Sequence, residues 1–451
     1  MNTKQLFFTF LLLSIVMNLN AQFKIDAQYR LRGQALHGYK TPVSKDVDAA
    51  FHVGQRTRLN LRYNSENYSS LLSFQDVRTW GDANIVNATG VQGKGYNTID
   101  IYEAWVNFKF NQNSHLKIGR QELKYDDQRH ISWRNWWDRG QTYDALTYTY
   151  DNKSTGWRLD LSGSYNSKFQ NLQGNNYSDG TDYFGNVNPI QTQVFAYVKK
   201  KVNSKLQVSL LLITAGYQNE DNPQTLYMTN TEGLHINFNT IKKSTDGLFA
   251  VANAFVQNGN AISGKKISSN LLTAQLGYRG FSRTLQVAVK MERLSGHDAT
   301  KFDDAEYNKV DHTYNLLTGG RHPYYEGYMD WFVVPKSTKN AGLMNVGASI
   351  KYKLTSKDII GLDYSNVSSV TPIFKEMDGT DRLYYDKGLA GIFDFAYIRK
   401  VAKDIKWMNG FSYGMPTDGY NQIKGITDPG TNFYFYTMIT FKPSLFDSSN
   451  K

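Results

Sequence analysis

The chain has 451 residues, no cysteine, and 51 Lys and Arg against 40 Asp and Glu, a formal net charge of +11. Without cysteine, neither a disulfide framework nor a thiolate metal site can form. Length alone would permit two or three soluble domains, but no break in composition divides the chain, and 9 prolines leave no long Pro-rich linker.

Met1 to Ala21 opens with Lys4, continues through the apolar run LFFTFLLLSIV and closes on Ala21. That layout predicts a secretory signal peptide over 1–21, cleaved between Ala21 and Gln22; the run is too short to span a bilayer comfortably. The remaining chain, 22–451, reads as one domain. It contains no apolar run near the ~20 residues that a transmembrane helix needs.

FKIDAQYRLR (23–32) alternates strictly. Phe23, Ile25, Ala27, Tyr29 and Leu31 project from one face of a strand; Lys24, Asp26, Gln28, Arg30 and Arg32 project from the other. FHVGQRTRLNLRY repeats the pattern, with Arg56, Arg58 and Arg62 on the polar face. IYEAWVNFKF sets Tyr102, Ala104, Val106 and Phe108 against Glu103, Trp105, Asn107 and Lys109. About eighteen such segments follow one another: 23–32, 51–63, 68–79, 98–110, 115–123, 141–150, 156–166, 191–200, 206–216, 227–239, 247–257, 269–278, 284–294, 342–354, 359–365, 388–399, 405–414 and 432–442. No convincing amphipathic helix lies between them, so the chain is all-β.

Short links such as NSEN (64–67), NQNS (111–114) and VNSK (202–205) alternate with long ones. Eight short and nine long links describe a single transmembrane antiparallel β-barrel of about 18 strands, with short periplasmic turns and long extracellular loops. A soluble sandwich has no reason to keep its long loops at one end. In a bilayer a sheet must close to pair its backbone, which places the apolar face on lipid and the polar face in the lumen. Both termini are expected on the periplasmic side. The longest link, 295–341, carries Tyr314, Tyr324, Tyr325, Tyr328, Trp331 and Phe332, too apolar to stay solvated, and is expected to fold inward.

The first two lumenal faces bring together Arg30, Arg32, Arg56, Arg58 and Arg62. Such a wall would concentrate anions, and the flat arginine fork suits carboxylates. The bland alternative is that these arginines pair with lumenal acids such as Glu103, Asp144, Asp160 and Asp394.

The stretch IGRQELKYDDQRHISWRNWWDRGQTYDAL (118–146) resembles the signature of the alginate-export family of outer-membrane barrels. RHPYYEGYMDWF (321–332) followed by GLMNVGASIKYKL is similar to a late segment of that family. Arg120, Gln121, Tyr125, Asp126, Asp127, Gln128 and Arg129 match the signature, and Arg139 and Asp144 match its closing part. The resemblance implies an eighteen-stranded barrel with a basic pore passing a polyuronate. Arg120, Arg129 and Arg139 would join the solute path, the last two on a loop folded over or into the pore. Asp126, Asp127 and Asp144 would hold that loop through lumenal arginines. His130 and Pro323 depart from the family's pattern.

Other chemistry is thin. No Ser–His pair with an orienting partner suggests a barrel hydrolase, and no catalytic or metal-binding residues and no cofactor are assigned. GNNYSDGTDYFGN (174–186) lacks EF-hand spacing and reads as a solvated loop. The expected function is therefore not enzymatic. It is an outer-membrane channel with a basic lumen passing an anionic polysaccharide or oligosaccharide. The partners would be that glycan, outer-membrane lipid and periplasmic export or uptake proteins, with no nucleic acid. The alternatives are a general anion-preferring porin for small solutes and a non-conducting barrel whose surface loops bind glycan.

Overall fold

A computed structural model describes residues 22–81, 99–166, 171–172, 175–176, 190–218, 225–241, 246–320 and 327–450. The expected signal peptide, most of 174–186, and Pro323, Tyr324 and Tyr325 lie outside the described residues.

Eighteen antiparallel strands close into one barrel. They are β1 (Gln22–His37), β2 (Ala50–Asn64), β3 (Tyr68–Thr79), β4 (Ile99–Lys109), β5 (Ser114–Gln121), β6 (Tyr143–Asn152), β7 (Trp157–Tyr165), β8 (Ile190–Lys201), β9 (Leu206–Gln218), β10 (Leu226–Asn239), β11 (Gly247–Gly259), β12 (Ser269–Gly280), β13 (Leu285–Leu294), β14 (Leu343–Lys353), β15 (Asp358–Ser368), β16 (Gly388–Lys400), β17 (Ile405–Pro416) and β18 (Asn432–Phe441). Each expected segment falls on one of them. The barrel closes where β1 pairs with β18, from Tyr29 opposite Phe441 to His37 opposite Phe433. A short last strand, β19 (Ser444–Asp447), continues along the start of β1. Both described chain ends therefore lie at the rim of the short turns, the periplasmic rim of such barrels.

The period of two sorts the side chains as expected. Tyr29 and Leu31 are exposed on the lipid side, while Arg30 and Arg32 between them are buried inside. One strand departs. The pairing of β3 with β4 shifts between Ser73 and Phe74, where Ser73 faces Glu103 and Phe74 faces Ile101. That bulge inserts one residue and reverses the parity beyond it. Tyr102, expected on the lipid face, accordingly lies against Arg58 in the lumen.

The interior is not simply polar and water-filled. Leu271, Ile392, Tyr434 and Tyr436 of the inner wall are buried, together with Tyr314, Leu316, Met329, Trp331 and Phe332 of the 295–342 loop. That loop folds inward, as its aromatic content requires. Trp331 Nε1 donates to the Gly38 carbonyl at 2.6 Å, so its one polar atom is satisfied where the ring is buried.

Candidate functional site

The loop between β5 and β6, residues 122–142, drops into the barrel and lies across the β1–β2 wall. The register of that wall explains why. Arg30 stands opposite Arg56, Gln28 opposite Arg58, and Arg32 opposite Gly54. Four guanidiniums thus share one inner face, with a gap where Gly54 has no side chain.

Asp138 fills the gap. A Cβ on Gly54 would stand 2.9 Å from Asp138 Oδ2. Arg30 Nη2 donates to Asp138 Oδ1 at 2.6 Å and Arg32 Nη2 to Oδ2 at 2.9 Å. Arg30 also donates to the carbonyls of Asn135 and Trp137, at 2.7 and 2.8 Å, and Arg32 to that of Trp136 at 3.1 Å. Arg56 reaches the Trp137 and Asp138 carbonyls at 3.4 Å and the Gln28 side chain at 2.5 Å. Burial pushes the Asp138 carboxyl up, but Arg32 and Arg30 outweigh it and hold it below the ordinary aspartate value.

Arg58 forms the lower edge of the clamp. Its guanidinium stacks on Tyr102, 3.5 Å from the ring centroid. Its Nε donates to Gln75 Oε1 at 2.6 Å, and Gln75 in turn donates to the Arg139 carbonyl at 3.0 Å. Tyr102 donates to Glu122 Oε1 at 2.8 Å. Gly140 turns the loop away here with φ of +71°, and a Cβ on it would stand 2.7 Å from Tyr102 Oη and 2.9 Å from Arg58 Nη2. Glycine is needed at that point for both conformation and space.

The other end of the loop is tied to the far wall. Asp126 accepts from Tyr197 Oη and Ser209 Oγ, each at 2.7 Å. Asp127 accepts from Asn253 at 2.9 Å and from Arg129 at 3.3 Å. Arg129 also forms a buried ion pair with Glu292 of β13. His130 lies against the Phe255 ring and hydrogen-bonds Tyr314 Oη at 2.8 Å. Burial drives its pKa down to about 3. The two inward loops interlock: Ile131 bridges Thr318, the Thr318 hydroxyl donates to the His130 carbonyl at 2.9 Å, and Arg134 Nε donates to the Gly319 carbonyl at 3.0 Å.

Several expected placements therefore need correction. Arg120 is not in the lumen. It follows Ile118 on the outward parity of β5 and forms a two-point pair with Asp144, at 2.8 and 2.9 Å, on the outside of the barrel. Asp144, expected as a loop-holding acid, is thus spent on Arg120. Asp126 holds the loop through hydroxyls and not through an arginine. Asp127 does so through Asn253 and through Arg129 of its own loop. Arg129 and Arg139 do lie on the inward loop, but Arg129 points to Glu292, away from the β1–β2 cluster. Arg139 meets that cluster through its carbonyl, and its side chain is exposed. Arg62 pairs with Asp26 at 2.8 Å near the short-turn rim. The residue that organises the site, Asp138, carried no signal beyond its place in WWDRG.

Residues 19–175 match the model of the family described as Alginate export. No curated protein matches the chain. Solved structures similar in fold include OccK5 (OpdH) of Pseudomonas aeruginosa, 10% identical over 94% of this chain and 99% of that one, with a TM-score of 0.56. The P. aeruginosa outer-membrane protein opdK is 10% identical over 94% and 99%, with a TM-score of 0.57. OccAB1 of Acinetobacter baumannii is 11% identical over 95% and 97%, with a TM-score of 0.58. At such identities the likeness speaks for the fold alone. The chain thus has the fold of the outer-membrane porins, a closed antiparallel β-barrel of eighteen strands, and its first third carries the pattern of the alginate-export family.

Proposed function

We propose that the protein is a channel with a basic lumen that passes an anionic polysaccharide or oligosaccharide of the alginate-like polyuronate class. The observation that carries this reading is the inner face of β1 and β2. Arg30, Arg32, Arg56 and Arg58 are gathered there, and among the described residues the carboxylates beside them are Asp138, Glu122 and Glu103. Arginines in excess of acids, facing a narrow interior with low-dielectric walls, favour anions over cations. Their forked donors already grip one carboxylate and a row of carbonyls, the same acceptor types that an acidic sugar chain presents. Arg62, at the periplasmic mouth, extends the path, and Arg139 lies beside it on the loop. The match of residues 19–175 to the alginate-export family supports the same class of solute.

The test is planar-bilayer conductance under a salt gradient, with oligouronate and then a neutral oligosaccharide added. The expected result is an anion-selective reversal potential and block by oligouronate alone. Anion preference without such block would indicate a general anion porin. A barrel that does not conduct would favour surface loops that bind glycan.

A further inference from the structure

Across the lumen from the arginine wall lies a separate cavity of about 330 Å³. Its roof is the start of the inward loop, Lys124 to Asp127, and its walls are the inner faces of β7 to β11. Arg158, Lys199 and Gln207 stand near the short turns of their strands, so the cavity opens on the periplasmic half of the interior.

The charges in it are unevenly satisfied. Both oxygens of Asp126 are taken by the Tyr197 and Ser209 hydroxyls. Asp127 is taken by Asn253 and Arg129. Arg158 is held by Asp160, with Nη2 to Oδ2 at 2.7 Å. Lys124 lies over the Trp133 ring, 3.9 Å from its centroid. Among the described residues, neither Lys124 nor Lys199 has a carboxylate partner, whereas the acids beside them are already engaged. The hydroxyl partners of Asp126 are neutral and leave it charged, so the lining sets Lys124, Arg158 and Lys199 against Asp126 and Asp127, and an excess of one cation favours an anion. Gln207 and Asn237, on the same lining, offer neutral donors and acceptors suited to hydroxyl groups.

We propose that this cavity is a carboxylate subsite that holds one acidic sugar unit, its carboxylate between Lys124 and Lys199 and its hydroxyls on Gln207 and Asn237. The site deepens the polyuronate reading above and rests on it for the identity of the sugar. Its volume falls at the small end of ligand sites, which run from ~300 to 1,000 Å³, enough for a single ring and not for a folded chain. Two lysines grip less tightly than the arginine wall, because an ammonium is a point charge without a planar fork. A chain entering from the periplasm would thus meet a weak site before the stronger one, and conduction needs sites that release as well as bind.

The experiment compares wild type with Lys124→Gln/Lys199→Gln by two measurements on the folded barrel in detergent or bilayer. The first is calorimetric binding of monouronate, oligouronate and a neutral oligosaccharide of equal length. The second is oligouronate residence time in single channels, with addition from either side. Loss of two charge-assisted contacts is expected to weaken uronate binding by about ten-fold or more. It should shorten residence for periplasmic addition and leave anion selectivity at the arginine wall unchanged. Tighter wild-type binding of oligouronate than of monouronate would assign the site to a chain; equal binding would assign it to a free sugar. Unchanged uronate binding in the variant, equal binding of the neutral sugar, or no uronate binding by wild type overturns the subsite. Failure of the channel reading looks different: wild type then shows neither anion selectivity nor block, whatever the calorimetry gives.

Discussion

Arg30 and Asp138 meet at 2.6 Å, and the arginine stands on the barrel wall while the aspartate stands on the loop. The contact is nearly buried, with the Arg30 side chain 4% exposed and that of Asp138 19%. Arg32 takes the other carboxylate oxygen. One loop carboxylate thus neutralises part of a cationic wall and fixes where the loop crosses the lumen.

Asp138→Asn keeps the shape and removes the charge. It leaves Arg30 and Arg32 facing each other without a counter-ion. Breaking one side of a buried ion pair costs about 3–5 kcal/mol. The expected outcome is a loop that leaves the wall while the barrel stays closed. Single-channel recordings should show larger and noisier conductance, and a protease should cut within 122–142 while the heat-modifiable gel mobility of the barrel persists. Quiet, wild-type conductance would mean that the backbone carbonyls alone hold the loop.

Gly54 and Gly140 mark the loop's landing points. Gly54→Val places methyl groups where Asp138 Oδ2 now lies, 2.9 Å from the position of a Cβ. Gly140→Ala adds a methyl against Tyr102 and Arg58 and holds an L-residue at positive φ, at a cost of about 1 kcal/mol or more. Both variants should reproduce the Asp138→Asn phenotype, and Gly361→Ala should not, since its Cβ would meet nothing closer than 3.7 Å. Conductance histograms of the three variants decide the matter.

The strands were legible because a barrel wall forces a period of two, and no tertiary context overrides it along most of their length. Where one residue is added, as at Tyr102, the period carries no warning, and the side chain changes faces. Arg120 is a different case. Its parity with Ile118 puts it on the outer face, whereas the likeness of its motif to a pore signature implies the inner one. Asp138 was not readable at all: its role depends on a glycine and two arginines about 80 to 110 positions away, brought together by register and not by spacing. The inward turn of the 295–342 loop was readable from its aromatics, but its seat on Ile392 and Tyr436 was not, because the apolar residues of the inner wall are brought beside it by register and not by spacing.

Acid should loosen the interlocked loops before it frees the Asp138 clamp. Burial holds His130 down at about 3, against 6.5 for an exposed histidine. A depressed pKa means that the released loop binds more protons than the docked one between those values. The contribution to docking is full above pH 6.5 and is lost as pH falls toward 3, by ~1.4 kcal/mol per unit. Asp138, held below its ordinary 3.8, stays charged across this window. Protection factors of the amides in 128–134 and 314–320, each referred to the intrinsic exchange rate at the same pH, should therefore fall between pH 6 and 4, and His130→Phe should flatten that fall. Protection factors that stay level in wild type would mean that His130 keeps its proton count on release.

The pair of Arg129 and Glu292 ties the same loop to β13, and both side chains are almost fully buried. Arg129→Leu takes the ion-pair partner from the buried Glu292 carboxylate, and Glu292→Leu takes the same from the Arg129 guanidinium, which keeps its contact with Asp127. Each single change should cost about 3–5 kcal/mol of loop docking, whereas the double change to two leucines should be close to neutral, since two well-packed apolar groups can replace a buried pair without its desolvation cost. The measurement is a double-mutant cycle on protease accessibility of 122–142 at constant temperature, with barrel integrity checked by gel mobility. With single changes of about 3–5 kcal/mol each and a near-neutral double, the coupling is expected to be about 6–10 kcal/mol, beyond the ~0.5–3 kcal/mol of ordinary contacts because each single change strands a buried charge. Simple additivity would show that Arg129 acts through Asp127 alone. Because the pair lies on the wall away from the arginine cluster, the double variant should also leave anion selectivity unchanged, which separates the anchoring of the loop from the charge that it crosses.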